Sequence, residues 1–164
     1  MKQRPILTIS MTSSEKVIKV FSILLIVGQF IYLFYLYKGL PDKVPVHFNA
    51  MGKADGWGGK GSIWTIPIIE SLLFITLSFV ERYPHVYNYP VRITEENAPR
   101  LYFEARRMMV ILNFEIVLLL SLITWESVQV AKGMDSHGGW FLPVFLFIIL
   151  GTVGITVYRL IRMK

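Results

Sequence analysis

The chain has 164 residues, 54% of them apolar and 17% charged, with a formal net charge of +6 and no cysteine. A charged fraction this far below the roughly 25% of soluble domains, with the apolar residues gathered in runs, excludes a soluble protein whose helices need polar outer faces. The absence of cysteine excludes disulfides, zinc–thiolate sites and thiol catalysis.

Residues 1–15 are polar and expected to be mobile or interfacial, a cytoplasmic N-terminus ahead of one four-helix membrane domain at residues 16–164. Val20–Tyr37 then runs 18 residues without a charge. It exceeds the roughly 7–15 apolar residues of a signal peptide, and Tyr37-Lys38-Gly39-Leu40-Pro41 offers no small-residue cleavage site. It is therefore expected to stay as a first span, about residues 17–38. Three further runs follow. Gly61–Val80 is broken only by Glu70, Met108–Val130 only by Glu115 and Glu126, and Gly138–Tyr158 carries no charge. These predict spans at about 62–80, 107–130 and 140–160, since about 20 helical residues cross roughly 30 Å of hydrocarbon. The predicted fold is an all-α integral membrane protein. Its four-transmembrane-helix bundle carries a structured Gly-rich extracellular loop and a cytoplasmic loop leading into a long third helix.

With four spans both termini share a side. Twelve lysines and arginines fall on that side, Lys2 and Lys164 among them, and five on the other. The positive-inside rule makes this a multi-pass cell-membrane protein with both termini cytoplasmic. The basic excess is then a topology signal and a handle for anionic lipid, and no basic patch interleaved with aromatics points to nucleic acid.

The outer loop, Leu40–Gly61, carries the strongest signal. Pro41 and Pro45 stiffen its first part and bias it toward extended backbone. Val46-His47-Phe48-Asn49 alternates, which predicts Val46 and Phe48 facing membrane or protein and His47 and Asn49 facing away. Gly52, Gly56, Gly58, Gly59 and Gly61 permit tight turns. Trp57 and Trp64 suit the headgroup level. His47 has three readings: pinning turns beside Asn49 and Asp55, contacting a ligand, or binding metal with Asp42, Asp55 or His137. Its spacing matches no zinc pattern, and no metal or cofactor is expected. The candidate ligand-binding set is His47, Asn49, Gly52, Asp55, Gly56, Trp57 and Lys60.

The pattern Leu40-Pro41, Pro45, His47-Phe48-Asn49, Gly52, Asp55-Gly56, Trp57 and Lys60, placed between two spans, resembles a bacterial membrane domain of unknown function. That domain also forms the N-terminal part of immunity proteins of the sporulation-delaying-protein type (SdpI-like). Asn88-Tyr89-Pro90, Thr94-Glu95-Glu96-Asn97, Tyr102 and Arg106 look like the cytoplasmic segment common in that family. The resemblance implies a non-enzymatic role: protecting a cell from a membrane-active toxin peptide, or sensing it and recruiting a cytoplasmic protein.

In the inner loop, Asn97 followed by Ala98-Pro99 predicts a capped helix start, with Arg100–Arg107 running straight into the third span. Tyr102 and Arg106 share a face of that helix. They belong either to a surface for a cytoplasmic partner, with Asn88, Pro90 and Asn97, or to an interfacial helix with snorkelling arginines.

Within the spans, Glu70 lies about 14 Å from the outer edge and Glu115 about 10 Å from the inner one, so their depths differ by roughly 6 Å. Gln29 and Asn113 fall near the same level. With no lysine or arginine to neutralise them, at least one of the two carboxyls is expected to be protonated and bonded to the amides or to the other carboxyl. This polar group reads either as packing glue or as the path of a proton- or ion-coupled transporter subunit. Glu126, beside Trp125, is expected to reach Lys132 or the outer loop. Gly151, Thr152, Gly154 and Thr156 offer a small-residue surface, for packing within the chain or for a homo-oligomer. No nucleophile–base motif, phosphate loop or cofactor fingerprint is present, so an enzyme is the weakest class.

Overall fold

The computed structural model describes residues 4–163; Lys2 and Lys164 lie outside the described residues. Helix α1, Ser13–Leu36, starts at a capping box. The Thr12 hydroxyl accepts the Glu15 N–H at 3.2 Å, and the Glu15 carboxylate accepts the Thr12 N–H at 2.7 Å, so each residue satisfies a donor that the helix leaves open. A short 3-10 turn, Tyr37–Gly39, ends this helix. Strands β1 (Lys43–Phe48) and β2 (Ala54–Gly59) follow, and a second 3-10 turn, Lys60–Trp64, leads into α2, Thr65–Val80. Helix α3, Ala98–Ala131, has 34 residues, and α4 is Phe141–Arg162.

All four helices, with their flanking turns, are long and apolar enough to cross a membrane. At about 1.5 Å per residue α3 is about 51 Å long, well beyond roughly 30 Å of hydrocarbon. It is the central support, packing against α1, α2 and α4, while α1 also touches α2. Outward-facing side chains are apolar, Phe34 at 81% and Phe147 at 80% exposure among them. The buried set is rich in polar groups, including Ser22, Gln29, Glu70, Asn113, Glu115 and Thr124.

The fold departs from the all-α expectation at the loop between α1 and α2, which pairs as an antiparallel hairpin. Pairing is irregular: Pro45 opposes Trp57 and His47 opposes Gly56, so Val46 has no cross-strand partner. This bulge overrides the simple alternation. Val44 takes the buried position, and Val46, expected to face inward, is 48% exposed. Its side chain lies over the opposite strand, where a Cβ on Gly58 would come within 2.8 Å of Val46 Cγ1. Beneath the hairpin, Leu40, Val44 and Ile63 close a small core with Leu33 of α1 and Val128 of α3.

At the other end, Ala98, Leu101, Tyr102 and Leu160 form a second core, covered by Leu7 and Ile9. Residues 4–12, expected to be mobile or interfacial, are thus packed against α3. Asn97, expected to cap α3, makes no such bond. Its side chain turns back instead, accepting the Thr94 N–H at 2.8 Å and donating to the Arg92 carbonyl at 3.1 Å.

Candidate functional site: the hairpin and the polar layers below it

Asn49 closes the hairpin. Its Oδ1 accepts the N–H groups of Met51 at 2.9 Å and Lys53 at 3.1 Å, and Gly52 adopts φ +75°, open to glycine at little cost. The tip is then held from the side. Ser136, in the α3–α4 turn, donates to the Gly52 carbonyl, and a Cβ on Gly139 would run into the backbone of Ala50 and Met51. Lys60 anchors the base, donating to the Lys38 carbonyl at 3.1 Å with its ammonium 5.0 Å from the centre of the Tyr37 ring. Gly56 leaves room for His47, whose Cβ would be 2.9 Å from an added methyl.

Asn49, Gly52, Gly56 and Lys60 therefore shape and fix the hairpin. His47, Asp55 and Trp57 are displayed on it. The His47 Nδ1 pairs with the Asp55 carboxylate across the strands, with both side chains well exposed. Trp57 is 51% exposed, whereas Trp64 is packed against Phe30 and Tyr37 of the first helical segment. Glu126 reaches neither Lys132 nor the hairpin itself. It accepts the His137 N–H at 2.8 Å and pairs with His137 Nδ1 at 2.7 Å, tying α3 to the turn that supports the hairpin tip.

Below the hairpin the polar residues separate into three groups. Glu70 is fully buried, and its carboxylate oxygens accept Gln29 Nε2 at 2.5 Å and Ser121 Oγ at 3.0 Å. Glu115 is not joined to it. Ser121 is six residues beyond Glu115 on α3, so the carboxyls differ by about 9 Å in level. Glu115 accepts instead from Thr152 Oγ1 of α4 at 2.6 Å. Asn113 joins neither carboxyl, donating to the Phe74 carbonyl and Ser78 Oγ of α2, both at 3.2 Å. Ser121 and Thr152 complete these groups; a hydroxyl in an apolar run has no periodic signature, and only its pairing to a carboxyl marks it. On α4, Gly151 and Gly154 border open space.

At the end opposite the hairpin, Arg106 and Tyr102 are buried, which removes them from any surface for a partner protein. Arg106 binds the Glu15 carboxylate and the carbonyls of Ile9 and Ser10. Glu15 went unnoticed in the sequence although Thr12-x-x-Glu15 has the form of a capping box. Arg4 donates to the carbonyls of His85 at 3.1 Å and Tyr87 at 2.7 Å, and Lys19 pairs with Glu81. Burial first, then the nearby Glu81 carboxylate, pushes the Tyr87 phenol up to about 12, with Arg106 opposing. Tyr89 is raised too, chiefly by burial. Asn88 and Pro90 remain exposed in this loop.

These features define a class: a small protein of four membrane-length helices, capped at one end by a braced β-hairpin. A family model described as a domain of unknown function (DUF1648) matches residues 24–70, a segment that includes the hairpin and both Gln29 and Glu70. A protein of Archaeoglobus fulgidus, named only as uncharacterized, is 31% identical over 150 residues, covering 85% of this chain and 81% of that protein. The chain belongs to the family of that archaeal protein. No solved structure matches it.

Proposed function

We propose that the protein is a multi-pass membrane receptor or immunity protein that meets a membrane-active peptide through the outer face of its hairpin. Apolar side chains outside and polar ones inside suit a bilayer, where unpaired polar groups are costly and apolar surface is not. The lysine and arginine distribution supports an extracellular hairpin and cytoplasmic termini. The observation that carries the reading is the exposed His47–Asp55 pair beside Trp57, on a hairpin braced at its tip and its base. A connection that only reversed the chain needs no such bracing. The likeness of this loop to that of SdpI-like immunity proteins supports the same role, and Asn88 and Pro90 are left to contact a cytoplasmic protein.

The test is a protection assay in a sensitive Gram-positive host challenged with membrane-active peptides. The chain, His47→Ala and Asp55→Ala are expressed at matched membrane levels. Protection by the chain and its loss in both variants is the expected result. Protection that survives both substitutions places the contact elsewhere, and no protection from any peptide removes the immunity reading.

A further inference from the structure

We propose that Glu70, Gln29 and Ser121 form a binding site for one sodium ion, beside a cavity between α1 and α3. Glu70 is wholly buried, and among the described residues its carboxylate pairs with an amide and a hydroxyl rather than with a cation. The remaining amide atom, Gln29 Oε1, is buried with no donor to satisfy it. A proton is the competing occupant, since a protonated Glu70 can donate to Oε1 while its other oxygen accepts from Nε2. A cation shared by the carboxylate and the amide oxygen satisfies both. Carboxylate, amide and hydroxyl oxygens are hard donors, and a single negative charge matches a monovalent ion.

Two cavities lie near it, the first bordering Gln29 and Ser121. One, about 250 Å³ between α1 and α3, has Gln29, Tyr32, Ser121 and Thr124 in a wall otherwise made of Leu24, Leu25, Gly28 and Trp125. The other, about 320 Å³, lies between the hairpin, the start of α2 and α3, where Ser62, Thr65, Thr124 and Ser127 border it. Thr124 stands in both walls. Ser121, Thr124 and Ser127 recur every three residues along α3, on one face of the helix. Thr124 donates to the Leu120 carbonyl at 3.0 Å, Ser127 to the Ile123 carbonyl at 2.9 Å, and Ser121 to Glu70. With their protons committed, these hydroxyls offer lone pairs to a guest, which suits a cation and disfavours an anion.

Dicyclohexylcarbodiimide tests the site. This apolar reagent adds a carboxylic acid across its N=C=N bond, and the modified residue is located by peptide mass spectrometry. The purified chain in detergent is treated at fixed pH and equal ionic strength in choline, potassium or sodium chloride. The expected result is modification of Glu70 in choline, slowed about tenfold by sodium at ten times its Kd and much less by potassium. Gln29→Leu is expected to be modified at Glu70 without protection by sodium, and Glu70→Gln to lose the modification. Gly28→Leu, whose side chain would enter open space, is expected to fill the cavity and slow the reaction. Equal rates in all three salts, no modification of Glu70 in choline, or undiminished sodium protection in Gln29→Leu would each overturn the proposal. The wild-type comparison requires no variant to fold.

Discussion

Arg106 and Glu15, 91 residues apart in the chain, form a buried ion pair with Nη2 3.0 Å from Oε2 and side-chain exposures of 5% and 1%. The same guanidinium donates to the carbonyls of Ile9 at 2.5 Å and Ser10 at 3.0 Å. One side chain thus holds the start of α1 and the segment before it against α3.

Arg106→Ala leaves the Glu15 charge buried without its partner, a change that costs about 3–5 kcal/mol. Thermal or denaturant unfolding in detergent measures it, and limited proteolysis is expected to cut within residues 4–12. Arg106→Lys is expected to recover little, because a single ammonium cannot reproduce the planar fork that serves a carboxylate and two carbonyls. Wild-type stability in Arg106→Ala would show that the pair contributes nothing net.

Gly139→Ala places a methyl group against the backbone of Ala50 and Met51. Overpacking of this kind costs about 1–3 kcal/mol. Hydrogen exchange is expected to rise at residues 49–53 and 136–139 together, because the two turns brace each other. Gly59→Ala, which meets nothing within 4 Å, is the control and is expected to leave both segments unchanged.

Alkaline pH is expected to weaken the end opposite the hairpin. In an unfolded chain a tyrosine releases its proton near pH 10, whereas folded Tyr87 holds its own up to about 12. Between those values the unfolded state binds fewer protons, so stability present below pH 10 falls as pH rises. Tyr87→Phe is expected to flatten this slope while losing, at every pH, the 3.0 Å bond from the phenol to the Val80 carbonyl. Unfolding midpoints from pH 8 to 12 compare the two proteins. Identical slopes would assign the alkaline sensitivity to other groups.

Thr152→Val removes the one donor that Glu115 has among the described residues. Interhelical bonds of this kind contribute about 0.6–2 kcal/mol in membranes, and unfolding in mixed detergent is expected to show a loss of that size. Glu115→Leu with Thr152→Val is expected to regain part of it, since the double variant leaves no unsatisfied carboxyl. A single variant as stable as the wild type would make the bond energetically silent.

The four helices were legible because length and uninterrupted apolar character suffice to mark them, with no knowledge of what they touch. The hairpin was half legible. Its prolines, glycines and the Asn49 turn announced extended backbone and a reversal, but the bulge at Val46 arises from cross-strand pairing that alternation along one strand does not encode. Tyr102 and Arg106 were placed correctly on a shared helix face, yet what covers that face is a segment more than 90 residues earlier. Of the two partners expected for these carboxyls, the amides or each other, Glu70 takes the Gln29 amide, and the grouping of Glu70 with Glu115 rested on depth alone. Glu70, on α2, meets Gln29 of α1 and Ser121 of α3, whereas Glu115, on α3, turns to Thr152 of α4, so azimuth outweighs level.

The clasp at Arg106 also orders events during synthesis. Glu15 leaves the ribosome long before Arg106 exists. Until the third helix arrives, Arg4 can already meet the carbonyls of His85 and Tyr87, but those of Ile9 and Ser10 have no guanidinium to receive. The clasp on residues 9–15 therefore closes only after most of the chain before α3 has been made.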